Sequence, residues 1–198
     1  VKFVKELLKT RAFMESLSLK SLNIWRATSY MDTARNKEFL EILKTRLKPE
    51  RLYHSICVAE QAKHLAEIFG GDIEKSYTAG LVHDIMRYEP VDKMLEMIEN
   101  DGQSLTESEK QITVTLHAIA GEVYLRNELK VTDKDILSAV RWHTTGKEDM
   151  SLLEKIIYVA DLTSEDREYP DILEVRAMAE ESLEKTCLRG LSFTIEDN

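Results

Sequence analysis

Glycine and proline are scarce, seven and three among 198 residues. That leaves too few turn positions for a many-stranded β fold and favours long helices. The two cysteines, Cys57 and Cys187, cannot build a disulfide scaffold; each lies in an apolar helical stretch and reads as a buried free thiol. No apolar run approaches the ~18 residues of a membrane span, and no signal-peptide pattern opens the sequence. The expected compartment is therefore a reducing cytoplasm. Positive charge is also lacking. A net charge of −9 argues against a nucleic-acid-binding surface, which needs clustered Lys and Arg. It leaves room for a small phosphorylated ligand whose charge a metal can meet locally.

The charge is unevenly spread. Residues 1–35 carry seven basic groups (Lys2, Lys5, Lys9, Arg11, Lys20, Arg26, Arg35) against Glu6, Glu15 and Asp32, so the remainder of the chain is strongly acidic. This segment reads as a basic, weakly amphipathic appendage without an assigned role. Residues 36–198 are the right length for one core and are read as a single unit.

From Asn36 onward the apolar spacing is helical. Phe39, Leu40, Leu43 and Leu47 mark a helix that Lys48-Pro49 closes, and a second runs from Pro49 to Phe69, stopped by Gly70-Gly71. A third is expected over Ile73 to Tyr88 and a short amphipathic one over Val91 to Asn100. Thr106 to Glu109 has the pattern of a capping box. Further helices are expected near 118–129, 133–143 and 151–162, with Thr132 and Ser151 as N-caps, and then a long one from Asp171. No two alternating stretches are strong enough to pair as strands, so the chain reads as all-α.

Within this helical frame the histidines carry the chemistry. His64 follows a polar lysine and lies about 80° around the helix from His54, as an ordinary half-exposed residue would. The other four differ. His54 opens an apolar stripe, His83 abuts Asp84 in an apolar run, His117 heads a helix, and His143 ends one before Thr144-Thr145-Gly146. Each alone reads as a hydrogen-bonded core residue. Together with Asp84, and with Asp161 at the end of Ile156-Ile157-Tyr158-Val159-Ala160-Asp161, they make six nitrogen and oxygen donors whose burial a cation would offset. Imidazole and carboxylate without thiolate suit iron, manganese, zinc or cobalt, and six donors suit two ions sharing a carboxylate better than one. Two ions can hold a hydroxide between them and clamp a phosphoryl group for in-line attack.

The ordered set Arg51-x-x-His54-Ser55, Gly80-Leu81-Val82-His83-Asp84-Ile85, His117-Ala118-x-x-Gly121, Arg141-Trp142-His143-Thr144-Thr145-Gly146 and Tyr158-Val159-Ala160-Asp161 resembles the HD-domain metal-dependent phosphohydrolases. It is most similar to their bacterial YqeK-type subgroup, and the likeness extends over about residues 38–190. The resemblance implies an HD-domain helical bundle and symmetrical hydrolysis of diadenosine tetraphosphate to two ADP by a metal-bridging hydroxide. It implies two divalent ions, iron first, with manganese, cobalt or zinc as substitutes. His54, His83, Asp84 and Asp161 would hold one ion, and Asp84 would bridge to a second held by His117 and His143. Arg51 would recognise phosphate, Thr144 and Gly146 would shape the pocket, and Lys155 and Arg167 are further phosphate contacts or surface ion-pair residues.

Two positions depart from that family. Arg87 stands where lysine is usual; with His83 and Asp84 it is placed in the catalytic set, although arginine is a poor proton donor. Ser164-Glu165-Asp166-Arg167 replaces the usual Glu-Pro ahead of the arginine. The expected partner is a nucleotide substrate rather than a nucleic acid or membrane, and a homodimer is one assembly to test. The rival functions are HD-type hydrolysis of a nucleoside monophosphate or guanosine polyphosphate, and a non-catalytic sensor that binds metal or nucleotide.

Overall fold

The computed structural model describes residues 33–196. The proposed appendage, up to residue 32, lies outside them. Among the described residues there are ten α-helices and no strand: α1 (Ala34–Arg46), α2 (Pro49–Phe69), α3 (Ile73–Val82), α4 (Val91–Asn100), α5 (Glu107–Gln111), α6 (Leu116–Asn127), α7 (Lys134–Trp142), α8 (Leu152–Thr163), α9 (Ile172–Glu181) and α10 (Leu183–Glu196). A 3-10 turn, Thr113–Thr115, leads into α6. The all-α reading holds, and no described helix is long and apolar enough to cross a membrane.

Local chemistry sets most of the boundaries. Thr33 caps α1, Asp72 caps α3 and Ser151 caps α8, each side-chain oxygen accepting a backbone N–H of the first turn. Thr106 and Glu109 form the expected capping box at α5. The N-cap of α7 is Asp133 rather than Thr132, because its carboxylate accepts from both Asp135 N and Ile136 N.

Two expected helices are shorter than their apolar patterns. The third ends at Val82 rather than Tyr88: His83 Nδ1 takes the Gly80 carbonyl at 2.7 Å, the acceptor a continuing helix would offer to Asp84 N. The backbone then proceeds by tighter turns, Ile85 N to Val82 O, Arg87 N to Asp84 O and Glu89 N to Met86 O. The long helix from Asp171 breaks at Ser182, whose extended backbone (φ −158°, ψ 114°) lets its hydroxyl accept from Lys185 N and start α10.

α2 is the central helix, packed most extensively on α3 and also on α8; α7 lies against α3, α6 and α8. The close α2–α3 approach depends on Gly80, where a Cβ would come within 2.9 Å of Ala59 Cα. The core includes Leu52, Ile56, Leu65, Tyr77, Leu81, Ile119, Val140 and Ile157. Cys57 and Cys187 are both buried and unbridged, as expected.

Candidate metal centre

Five segments converge inside the bundle and bring the six expected donors together. α2 supplies His54, the turn after α3 supplies His83 and Asp84, the start of α6 supplies His117, the end of α7 supplies His143, and α8 supplies Asp161. The four histidines and Asp84 are at most 3% exposed. The imidazoles pack edge to face in a chain, with centroids 5.3 Å apart for His54 and His83, 4.9 Å for His83 and His143, and 5.1 Å for His117 and His143. His64 is not part of the cluster; it is exposed, 3.1 Å from Glu180.

Three of the histidines are oriented by one shared device. His83, His117 and His143 each direct Nδ1 to the carbonyl three residues earlier (Gly80, Val114 and Val140), at 2.7 Å in every case. Carbonyls accept only, so Nδ1 carries the hydrogen and Nε2 is left as a lone-pair donor facing the cluster. His54 is held differently, its Nδ1 lying 2.7 Å from Asp166 Oδ2. Asp166 belongs to the loop after α8, where no helical periodicity distinguishes it, and it was not among the expected site residues. The one sequence signal for it is the acidic pair Glu165-Asp166, four and five residues beyond Asp161 and beside Arg167.

The inward-facing nitrogens meet each other and carboxylates rather than donors. His117 Nε2 lies 3.0 Å from Asp84 Oδ1 and 3.2 Å from His143 Nε2. His83 Nε2 is 3.4 Å from Asp84 Oδ2, buried and without a hydrogen bond. His54 Nε2 is 2.9 Å from Asp161 Oδ1 but also unsatisfied as a hydrogen-bonding atom. Lone pairs facing lone pairs and carboxylates in a buried space call for a proton or a cation between them. Two donor sets are close enough to hold one, His54, His83 and Asp161, and His83, Asp84 and His143.

Ionisation follows the same geometry. Burial lowers His54, but the carboxylates of Asp161 and Asp166 outweigh it and hold the imidazole above its ordinary value. His117 is lowered, chiefly by burial, which leaves its nitrogen free to donate to a metal. Burial works to raise Asp84, yet His83, His117 and His143 together hold it well below the usual carboxylate range. Asp161 is also lowered, with His54 and Arg167 overcoming its burial.

Among the described residues, three guanidinium groups border the cluster. Arg51 Nη1 donates to Asp84 Oδ2 at 2.9 Å. Arg167 pairs with the Asp161 carboxylate and donates from Nε to the Asp161 carbonyl at 2.8 Å. Arg87, exposed, places Nη1 3.2 Å from His117 Nδ1; that nitrogen's hydrogen is committed to Val114, so this is a close approach rather than a second hydrogen bond. Thr144 Oγ1 is buried without a partner beside His143. Gly146 has φ +60°, which favours glycine, and its N–H caps α7 on the Trp142 carbonyl at 2.9 Å. Lys155 is paired with Glu184 on α10 at 2.8 Å, the surface ion pair its position allowed.

Comparison with known proteins agrees with this arrangement. Residues 51–166 match the HD domain family. Proteins named symmetrical bis(5'-nucleosyl)-tetraphosphatase are similar along most of the chain. The one from Halalkalibacterium halodurans is 35% identical over 158 residues, 79% of this chain and 83% of that protein. The one from Bacillus subtilis is 34% identical over 161 residues, 80% of this chain and 85% of that protein. A crystal structure from Clostridium acetobutylicum, described as a predicted HD superfamily hydrolase involved in NAD metabolism, superposes with a TM-score of 0.80 at 37% identity, covering 81% of this chain and 85% of that one. HD domains bind divalent metals, and the buried, unpaired imidazole nitrogens fit that chemistry. The chain thus belongs to the HD-domain family of hydrolases, within the group of the symmetrical bis(5'-nucleosyl)-tetraphosphatases.

Proposed function

We propose that the protein hydrolyses diadenosine tetraphosphate and related dinucleoside polyphosphates symmetrically, giving two ADP from the first. The observation that carries this reading is the convergence of buried imidazole nitrogens on Asp84 and Asp161 in a chain so similar to enzymes named for that reaction.

His54, His83, Asp84 and Asp161 would hold one divalent ion, and Asp84, His117 and His143 a second. The donor set suits iron, with manganese, cobalt and zinc as alternatives. Bound divalent ions would supply Lewis acidity to phosphoryl oxygens and a water acidic enough to attack phosphorus near neutral pH.

The chain's own groups do the rest. Arg51, Arg87 and Arg167 place positive charge around the cluster, so a tetraphosphate can approach a protein whose net charge is −9. Asp84 keeps Arg51 beside the donors, where a phosphate oxygen can take over the guanidinium's hydrogen bonds. One water is consumed: the central P–O–P bridge breaks, the attacked phosphorus gains the oxygen, and the other ADP leaves with the bridging oxygen. ADP is a good leaving group, so the reaction does not require a strong proton donor, and arginine in place of lysine at position 87 is compatible with it. Thr144 and Gly146 would shape the wall beside His143.

Product analysis tests this reading. Metal-loaded protein supplied with diadenosine tetraphosphate, a nucleoside monophosphate and a guanosine polyphosphate is expected to release ADP from the first and to leave the others nearly untouched. Release of AMP and ATP, or faster turnover of either alternative, would contradict it.

A further inference from the structure

The loop that leaves α8 is held by one arginine that touches none of the candidate metal donors. Arg176, half-buried on α9, donates from Nε to the Thr163 carbonyl at 3.0 Å. Its Nη2 sits 2.6 Å from the Ser164 carbonyl, 3.1 Å from that of Glu165 and 3.2 Å from that of Arg167. α8 ends without a glycine, and side chains take over the carbonyls its last turn leaves unpaired. Arg167 Nε serves Asp161 O at 2.8 Å and Tyr169 Oη serves Leu162 O at 3.1 Å, while Arg176 serves the next two.

Within this clamped loop sits Asp166. One carboxylate oxygen accepts from Ser164 Oγ at 2.7 Å, and the other faces His54 Nδ1 at 2.7 Å. His54 is therefore the one histidine of the cluster oriented by a carboxylate from a distant part of the chain. Gly80, Val114 and Val140, which orient the others, are fixed by the turn three residues away. Asp166 is tethered locally only to Ser164 in the same loop, so its aim at His54 depends on the path of that loop.

We propose that Arg176 is a positioning residue for the metal centre: by fixing the backbone of residues 163–167 it aims Asp166 at His54, which in turn presents Nε2 to the ion shared with His83 and Asp161. This rests on the reading that those residues hold a metal. A lysine would have to place all its donors on one nitrogen, whereas the planar guanidinium donates from Nε and Nη2 and so spans the loop from Thr163 to Arg167. Partners of metal-bound histidines typically change affinity by about 10–100-fold when removed.

The test is cobalt binding by equilibrium dialysis, read also by the visible absorption of the bound ion, on the full chain and the variants Asp166→Ala, Arg176→Gln and Asp166→Ala/Arg176→Gln. Melting of each metal-free variant is followed by circular dichroism. Asp166→Ala is expected to weaken one of the bound ions about 10–100-fold. Arg176→Gln should weaken the same ion about tenfold and alter its absorption, in protein that is folded before metal is added. The double variant should lose clearly less than the product of the two, because Arg176 acts through Asp166. The inference is overturned if Arg176→Gln lowers metal-free melting but binds cobalt as the wild type does, or if the two losses multiply in full. Should Arg176→Gln fail to fold, Asp166→Ala decides: unchanged cobalt affinity there overturns the inference as well. A wild-type protein that takes up no cobalt overturns the metal reading itself and is thereby distinguished from failure of the inference alone.

Discussion

At one end of α8 Glu154 is 2% exposed and surrounded by groups that satisfy it: Ser138 Oγ donates to it, Ser151 N donates at 2.6 Å, and Lys147 Nζ lies 2.9 Å away. Two turns along the same helix, Asp161 faces a His54 nitrogen left without a hydrogen-bond partner, and beyond it His83, His117 and His143 turn their inner nitrogens toward Asp84. Both clusters bury charge, but the first is closed with protein groups alone. The second is ordered as tightly, through 2.7 Å bonds on the outer nitrogen of every ring, yet leaves its inner nitrogens without a donor. Order on the outside and open valence on the inside is what distinguishes a binding site from a structural network.

The contrast breaks most sharply if His83 or Asp84 is replaced by alanine. Turnover should fall by about a thousandfold or more, since metal assistance is worth several kcal/mol in the transition state. Metal-free folding should change far less, as circular dichroism melting would show. A fold that collapses while residual activity persists would put the centre on the structural side of the comparison. Arg51→Ala comes next. Losing a charge-assisted contact of about 2 kcal/mol should weaken use of the substrate roughly 30-fold, seen mainly in KM.

The closed cluster should behave in the opposite way. Glu154→Ala should cost about 2–3 kcal/mol in denaturant unfolding, because it strands Lys147 and the Ser151 cap, and should leave metal content and turnover unaltered. Its pH dependence has a definite sign. Burial pushes the Glu154 carboxyl up, but Ser138, Lys147 and Ser151 outweigh that and hold it below its ordinary value. A carboxyl depressed in the folded state stabilises above its unfolded pKa and loses that contribution as pH falls through the folded one. The stability gap between the wild type and Glu154→Gln should therefore be full near neutrality and shrink from about pH 4.5 downward. A gap that widened in acid would contradict the hydrogen-bond assignment. The smallest effect is expected at Lys155→Ala, within about 0.5 kcal/mol, as for exposed ion pairs. A several-fold rise in KM there would move Lys155 from the surface into the substrate path.

The same contrast separates what the sequence made legible from what it did not. Helix type and the caps at Thr106 and Ser151 were readable because apolar spacing and a Thr or Ser three residues ahead of a Glu are local signals. The stop after Val82 was not, since apolar residues continue through Met86 and the break depends on a histidine ring taking a backbone carbonyl. The break at Ser182 was hidden for a similar reason, being one hydroxyl on one backbone N–H. The six donors stood out because buried imidazoles and carboxylates are costly and recur at helix ends. Asp166 and Arg176 did not, because their partners lie on other elements and are joined only by folding. Thr132 gave way to Asp133 by a single residue, where a carboxylate accepts two N–H groups of the first turn.

The central claim is that the open cluster works through a bound divalent ion. Its most direct test is ADP release from diadenosine tetraphosphate by chelator-treated protein as ferrous or manganous ion is titrated back. The account predicts almost no ADP before the titration and a rise that saturates with ion bound at His54, His83, Asp84, His117, His143 and Asp161. Undiminished ADP release from the metal-free protein would contradict it.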